Sequence, residues 1–492
     1  MKSLNVFNGR SLVPAIFLLL ALLHLGIVIL NHYYFRTFAY YYGVYNFAFF
    51  DFAHFRISPI PILFDGSNST FLQDHFSLLL PVISPFYWLL HAITGTYTLL
   101  IVQWLAIVYG GWATYKLIAY KSHNPKMAAL AMVTYFLMYC RFSSYQADCN
   151  LAIIGSALIP GFLYYFEKKN LLPLIIVFVI LLITREDFSL WLSFICLSLV
   201  IVKRGSKKSR NLAALFLVIS VLFFILIFKW IIPSLESETV KFALFNYAAL
   251  GTTPFESLQT LLHHPFDSIR ILFVNHLGDP QHDWIKIKFY LVFACSGGIL
   301  LLLRPAYIIC LIPLIAKKMF NDDPIRWSYE TYYGIEVASI LPALVFLTIS
   351  DLKAEKIRIK LSILALVITV STSVYCFWTV NYPMLYTKFE FYRPWFFERN
   401  YALADLHHAL NKVPENAVVS ASGRILPHLA FRQKIYYFPK VDDADYICLT
   451  IYGDSWPLSN EDYDAEVKKL KENRLWKIEY EGENAIIFKK TK

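Results

Sequence analysis

What most constrains this chain is the recurrence of apolar runs close to the thickness of a bilayer's hydrocarbon core. The run at 11–30, "SLVPAIFLLLALLHLGIVIL", opens the series. Others follow at about 97–119, 127–141, 151–166, 171–184, 188–202, 211–232, 287–303, 305–318, 334–350 and 359–380. A helix of about 20 apolar residues crosses a membrane, so an all-α polytopic bundle of about 11 transmembrane helices is expected. Composition agrees: 57% of the 492 residues are hydrophobic and 16% are charged, against about a quarter charged in a soluble protein. The first run is too long for a signal-peptide core and lacks a small-residue cleavage site after it, so it reads as an uncleaved span.

The net charge of +10, from 45 basic and 35 acidic residues, gathers in short loops. These are "KLIAYKSHNPK" (116–126), "EKKN" (167–170), "KRGSKKSR" (203–210) and "DLKAEKIRIK" (351–360). Together with Lys2 and Arg10 they place the N-terminus and all four loops in the cytoplasm, provided that 76–93, "FSLLLPVISPFYWLLHAI", does not cross. Pro81 and Pro85 weaken a straight helix there, so this segment is expected at the outer interface or re-entering the membrane. Loop 31–96, "RFSSYQADCN" (141–150), "TREDF" (184–188), loop 233–286 and "NDDPIRWSYE" (321–330) then share the outer side. No basic face interleaved with exposed aromatics is visible, which argues against a nucleic-acid partner. The seven cysteines are scattered without a CxxC pair, so neither zinc nor a disulfide framework is indicated.

Past residue 381 the spans stop. Short β-rich runs, "AVVSAS" (417–422), "KIYYFP" (434–439), "DYICLTIY" (445–452), "WKIEYEG" (476–482) and "NAIIFKK" (484–490), alternate with helical patterns near 399–412 and 460–472. The expected organisation is a transmembrane domain over 1–380 and a small extracytoplasmic α/β domain over 381–492. No glycine fingerprint, Walker A motif, HExxH or GxSxG occurs, and no long-period repeat is seen.

Ionisable groups near a membrane are costly and often functional. Asp51, in the aromatic stretch "YNFAFFDFAHF" beside His54 and Arg56, is either a carboxylate at a dry pocket or an interfacial residue paired with Arg56. Asp74 suits an N-cap, which leaves His75 unexplained. Asp148 reads as a cap for 151–166 or as a site residue. Arg185, Glu186 and Asp187 sit in a three-residue junction, at a pocket rim or simply solvated. The "NDDP" loop with Arg326, Tyr329 and Glu330 offers ligands for a divalent cation such as Mg or Mn, or is an exposed loop. His24, inside the first run, is most simply a packing residue.

The layout resembles the GT-C glycosyltransferase superfamily. More specifically, the chain resembles a bacterial and archaeal multi-pass membrane family known only as domain of unknown function 2079. The matching stretches are "YNFAFFDFAHF", "DHFSLLLPVISPFY", "YQADCN", "TREDFSLW", "LLRPAYIICLIPLI" and "AVVSASGRILPHLAFRQKIYYFP", in family order from about residue 40 to 450. The family usually carries an acid where Asn46 stands and a histidine where Asn150 stands. An asparagine cannot take a proton at neutral pH, so the burden of catalysis shifts to Asp51.

The resemblance implies a hexosyltransferase of the cytoplasmic (inner) membrane, carrying a sugar from a polyprenyl-phosphate donor to a glycan, lipid or protein acceptor at the outer face. Asp51, Glu186 and Asp187 are its catalytic candidates. Asn46, His54, His75, Arg141, Asp148, Asn150, Arg185, Tyr329 and Glu330 are its substrate-binding candidates, with Arg185 or Arg141 clamping the phosphate. The alternative is a non-catalytic transporter, flippase or assembly partner on the same scaffold, which the two asparagines favour.

Overall fold

A computed structural model describes residues 9–63, 69–236, 245–380, 388–399, 401–451 and 455–491. Lys2, the side chain of Arg10, the point near 381 where the spans stop, and Tyr452 at the end of one β-rich run lie outside what is described. The molecule is mostly helical, with a five-stranded sheet at its C-terminal end.

Among the described residues, five helical stretches are long and apolar enough to cross a membrane: Leu12–Tyr33, Phe86–Ser122, Lys207–Leu235, Tyr332–Ser350 and Glu355–Thr379. A sixth arises if Pro125–Leu137 and Tyr139–Ala147, bent by 43°, count as one broken span. Among the described residues, fewer of the eleven apolar runs than expected form long, unbroken helices. Leu171–Leu182 and Phe188–Val202 are apolar but short. The runs at 287–303 and 305–318 resolve into helix Ile285–Cys295, two 3₁₀ stretches and helix Ile312–Met319. Their apolar content is span-like, but Gly297 at φ 95° and the imino positions Pro305 and Pro313 interrupt the helical ladder. Between Leu79–Ile83 and Phe86–Thr94 the chain breaks at Ser84–Pro85, where the prolines forecast a kink.

The core is built on close helix contacts. Gly110 lets helix Thr98–Ser122 approach helix Leu151–Lys168, because a Cβ there would lie 2.6 Å from the Ala157 carbonyl oxygen and closer still to the Tyr135 hydroxyl. Helix Ile335–Ser350 is buried along its whole length.

The basic loops gather at one end of the bundle. Lys121 reaches Asp351 (3.4 Å) and Glu167 (4.0 Å), Lys203 pairs with Glu167 (2.6 Å), and Arg304 pairs with Asp351 (2.6 Å). The C-terminal sheet sits at the other end, against the residues that follow the first helix.

That sheet contains β1 (Val419–Ala421), β2 (Ile435–Tyr437), β3 (Tyr446–Thr450), β4 (Trp476–Glu481) and β5 (Ala485–Lys490), in the order β2-β1-β3-β5-β4. β1 pairs parallel with β2 and β3, while β5 pairs antiparallel with β3 and β4. A parallel pair needs a crossover connection, and the β1–β2 crossover is what docks the sheet onto the bundle. Gly423 accepts a bond from the Ala39 N–H (2.8 Å). Leu426 packs over Gly43. His428 stacks on His32 with ring centroids 3.9 Å apart and planes 6° apart. Phe431 enters a cluster with Phe49, Phe50 and Tyr87. Helix Val44–Ala53, the aromatic stretch that carries Asp51, is therefore buried at all ten positions. It lies between bundle and sheet.

Candidate functional site

Two loops far apart in sequence meet at the sheet-bearing end. The Ser77 hydroxyl donates to the Thr184 carbonyl (2.6 Å), and the N–H groups of Leu78 and Leu79 donate to the Ile183 carbonyl (3.1 and 3.0 Å). This lays Asp74 and His75 alongside Arg185 and Glu186. Tyr45, from helix Val44–Ala53, closes the site with its ring 6.4 Å from that of His75. The His75 Nδ1 lies 2.9 Å from Asp74 Oδ2. Burial opposes the charge on His75, but the neighbouring Asp74 carboxylate outweighs it and raises the imidazole pKa.

Behind this pair runs a chain of alternating charges. Arg185 Nη2 donates to Glu186 Oε1 (3.0 Å), and its Nε lies 3.7 Å from Asp187 Oδ1. Lys317 Nζ donates to Asp187 Oδ2 and to Glu336 Oε1, each at 2.6 Å. Burial favours a neutral Asp187, but Lys317 and Arg185 outweigh it and hold its pKa well below the usual carboxylate range. Arg185 is likewise driven further toward its charged form by Asp187 and Glu186, against the effect of burial. Arg185 Nε and Glu186 Oε2 are buried without a hydrogen-bond partner among the described residues. Buried polar atoms are rarely left so. They give the site an unused donor and an unused carboxylate oxygen side by side.

The other sequence candidates lie elsewhere. Asp51 is fully engaged: its carboxylate accepts from Arg56 Nε (2.8 Å), the Ser58 N–H (2.7 Å) and the Ser58 hydroxyl (3.1 Å). It opens on a recess lined by Phe47, Phe52 and Phe71 that has room for roughly one water molecule and no more. The Phe71 ring, which lines the Asp51 recess, also packs on Phe52 and on His75, with centroids 6.1 and 6.2 Å away. Asn46 donates to the carbonyls of Thr96 (3.1 Å) and Pro427 (3.3 Å), facing the crossover. His54 bonds to the Phe50 carbonyl (2.8 Å) and packs on Tyr87 and Trp88.

Asp148 is not the cap expected of it. Asn150 caps helix Leu151–Lys168 through the Ala152 N–H (2.8 Å). Asp148, at φ 54°, turns away, and its carboxylate takes Lys388 Nζ (2.6 Å) and the Phe38 N–H (2.9 Å). Burial raises its pKa and Lys388 only partly offsets the rise. Arg141 is wholly buried, with Nη2 on the Ser339 hydroxyl (3.1 Å) and its guanidinium 4.2 Å from the Tyr135 ring centroid. The Tyr329 hydroxyl lies 3.5 Å from that of Thr379, and the Glu330 carbonyl accepts from Gln146 Nε2 (2.9 Å).

The "NDDP" loop spends its acids on the fold. Asp322 accepts from the Ala248 N–H (2.7 Å), and Asp323 caps helix Pro324–Trp327. Among the described residues, no three of His, Cys, Asp and Glu form a metal-ligand group. Sequence reasoning passed over Lys317, Glu336 and Lys388. The first two end and begin apolar helices and carry no motif. Their roles follow only from which helix ends meet.

These features define a helical membrane protein with a small C-terminal sheet packed on one end of its bundle and a charge-lined junction at that end. A family model described as "Predicted membrane protein (DUF2079)" matches residues 31–487, and the chain belongs to that family. No curated protein matches the chain.

Proposed function

We propose that the protein is a GT-C-like glycosyltransferase that takes a sugar from a polyprenyl-phosphate donor at the outer face of the cytoplasmic membrane. The acceptor is a glycan, lipid or protein. The observation that carries this reading is the junction of loop 73–79 with turn 183–187, which sets His75 and Arg185 beside Glu186. Arg185 and protonated His75 hold the donor phosphate. Glu186, through its free Oε2, takes the proton of the acceptor hydroxyl. Lys317 keeps Asp187 ionised, and Asp187 in turn steadies Arg185. Asp51 holds the 54–58 loop rather than reacting, because both its carboxylate oxygens are bonded to Arg56 and Ser58.

The topology belongs to the same reading. The N-terminus and the basic end face the cytoplasm, and the C-terminal domain is extracytoplasmic. The eleven apolar runs all contribute crossings, the short and broken helices among them.

A second reading, a transporter, flippase or assembly partner, draws support from Asn46. The position where the family usually carries an acid here binds the crossover, away from the charged junction. One experiment separates the two. Reconstituted protein is given labelled polyprenyl-phosphate sugars, and wild type is compared with Glu186→Gln and Asp51→Asn. Loss of a general base costs about 10²–10⁴-fold, expected for Glu186→Gln, while Asp51→Asn retains transfer per folded molecule. Equal transfer by wild type and Glu186→Gln removes Glu186 from the chemistry. Binding of the lipid phosphate without transfer from any donor selects the second reading.

A further inference from the structure

The segment between the helix ending at Leu235 and the helix beginning at Ile285 contains a short tandem repeat. "PFESLQTLLHH" (254–264) is followed at once by "PFDSIRILFVN" (265–275). Proline, phenylalanine, an acid, serine, a branched aliphatic and a later leucine recur in register. Each copy is its own helix, Pro254–His263 and Pro265–Phe273, with proline in the first turn. Proline is at home there and stops the first helix from running into the second.

Identical spacing gives the two helices identical faces. The protein-facing side carries small hydroxyls: Ser257 and Ser268 are the buried positions. The large apolar side chains point outward: Phe255 is 67% exposed, Leu262 69% and Phe266 86%, with Leu258, Ile269 and Phe273 exposed beside them. Glu256 and Asp267 recur on a third face. This is the reverse of a helix packed on a soluble core, where the apolar stripe turns inward. Exposed apolar surface of this extent marks an interaction site.

The second helix is held at a fixed angle. Lys286 Nζ donates to the Ile271 carbonyl (2.6 Å), the Tyr290 hydroxyl donates to the Leu272 carbonyl (3.1 Å), and the rings of Phe273 and Tyr290 pack 5.0 Å apart, tilted by 34°. The anchor is itself firm, since Lys286 also donates to the Met319 carbonyl (2.6 Å). The occupant of the outward face follows from its neighbours in the chain. The preceding helix, Lys207–Leu235, exposes Leu215, Val218 and Leu222, and the following helix exposes Ile287 and Leu291. Those surfaces meet lipid in a membrane protein. The repeat lies between them and carries the same apolar character.

We propose that the repeat at 254–273 is a pair of interfacial helices seated in the bilayer. Their phenylalanine and leucine faces lie among the acyl chains, and their acidic faces lie at the headgroups. They would hold the central loop flat against the membrane beside the charged junction. The proposal does not depend on the chemistry proposed above.

The test uses the full chain with exposed Cys295 replaced by serine and a single NBD label at Phe266→Cys, Leu258→Cys or Asp267→Cys. Each variant is reconstituted in vesicles of phosphatidylethanolamine and phosphatidylglycerol, with or without doxyl-labelled lipid. The labels at 266 and 258 are expected to be blue-shifted and quenched several-fold more by doxyl lipid than the label at 267. Iodide is expected to quench only the label at 267. Iodide quenching at 266 and 258 would place the helices in water. Shielding of both from iodide and lipid alike would place them against a protein, another copy included. Either result overturns the proposal, and the two apolar sites guard against misfolding of one variant.

Discussion

Asp148 shows how much one side chain can decide. Its pairing with Lys388 ties the turn before helix Leu151–Lys168 to the segment leading into the sheet, with both groups nearly inaccessible to water. Removing one member of a buried pair strands the other charge, at a cost of about 3–5 kcal/mol. Lys388 is accordingly expected to lower the melting temperature of Asp148→Ala sharply in detergent. The double change Asp148→Leu with Lys388→Met should recover most of the loss, since apolar replacement of both partners is often neutral. Equal melting of wild type and Asp148→Ala would show that the pair bears no load.

His428 makes a second residue-scale prediction. Burial and the neighbouring imidazoles push its pKa well below the ordinary 6.5. Unfolding frees it to protonate at the ordinary value, so stability is full above about 6.5 and falls as pH drops from there toward the depressed folded value. Protection of the 422–434 crossover from hydrogen exchange, measured relative to the intrinsic amide rate at each pH, should therefore fall between pH 7 and 5, roughly the window of an imidazole. A His428→Phe variant, which keeps the ring stack, should lose part of that dependence, the neighbouring His407, also held below the ordinary value by burial, supplying another part.

Among elements, helices Thr98–Ser122 and Leu151–Lys168 meet closely at Gly110. Gly110 has no room for a methyl group beside the Ala157 carbonyl and the Tyr135 hydroxyl. Gly110→Ala should cost about 1–3 kcal/mol through overpacking, read as a lower denaturation midpoint. An unchanged midpoint would mean that the helices separate freely.

Elements were also where the sequence was least legible. The runs at 287–303 and 305–318 look like spans because hydropathy averages over breaks. The interruption at Gly297 and the 3₁₀ turns that follow are decided by backbone dihedrals and packing. The aromatic stretch 45–55 looked like an interfacial helix because its rings suit that setting. Its helix, Val44–Ala53, is core instead, because the sheet's crossover covers the side that would otherwise face lipid or water, while Phe55 just beyond it is exposed.

For the whole molecule, the clustering of Lys121, Lys203 and Arg304 with their acids at one end, opposite the sheet, makes sidedness testable. Cysteine introduced at Lys208 should react with a membrane-impermeant maleimide only after cells are opened. Cysteine at Lys468, on helix Asn460–Glu472 of the sheet domain, should react in cells with only the outer barrier permeabilised. The reverse pattern would invert the orientation, and labelling of both together would place the two ends on one side.

The sequence alone determined that this is a multi-pass membrane protein with a β-containing tail, and it located the five strands closely. Apolar runs and period-two alternation are local signals, set by solvent and hydrogen bonding along a few residues. It also pointed to His75 and the 185–187 turn as polar groups in need of a reason. Only the tertiary structure decided which polar groups meet. It joined His75 to Arg185 and Glu186, supplied Lys317 and Glu336 to Asp187, gave Asp148 to Lys388, and sealed Asp51 with Arg56 and Ser58. A charge finds its partner through the packing of helix ends distant in sequence, and nothing in its local pattern records which end that is.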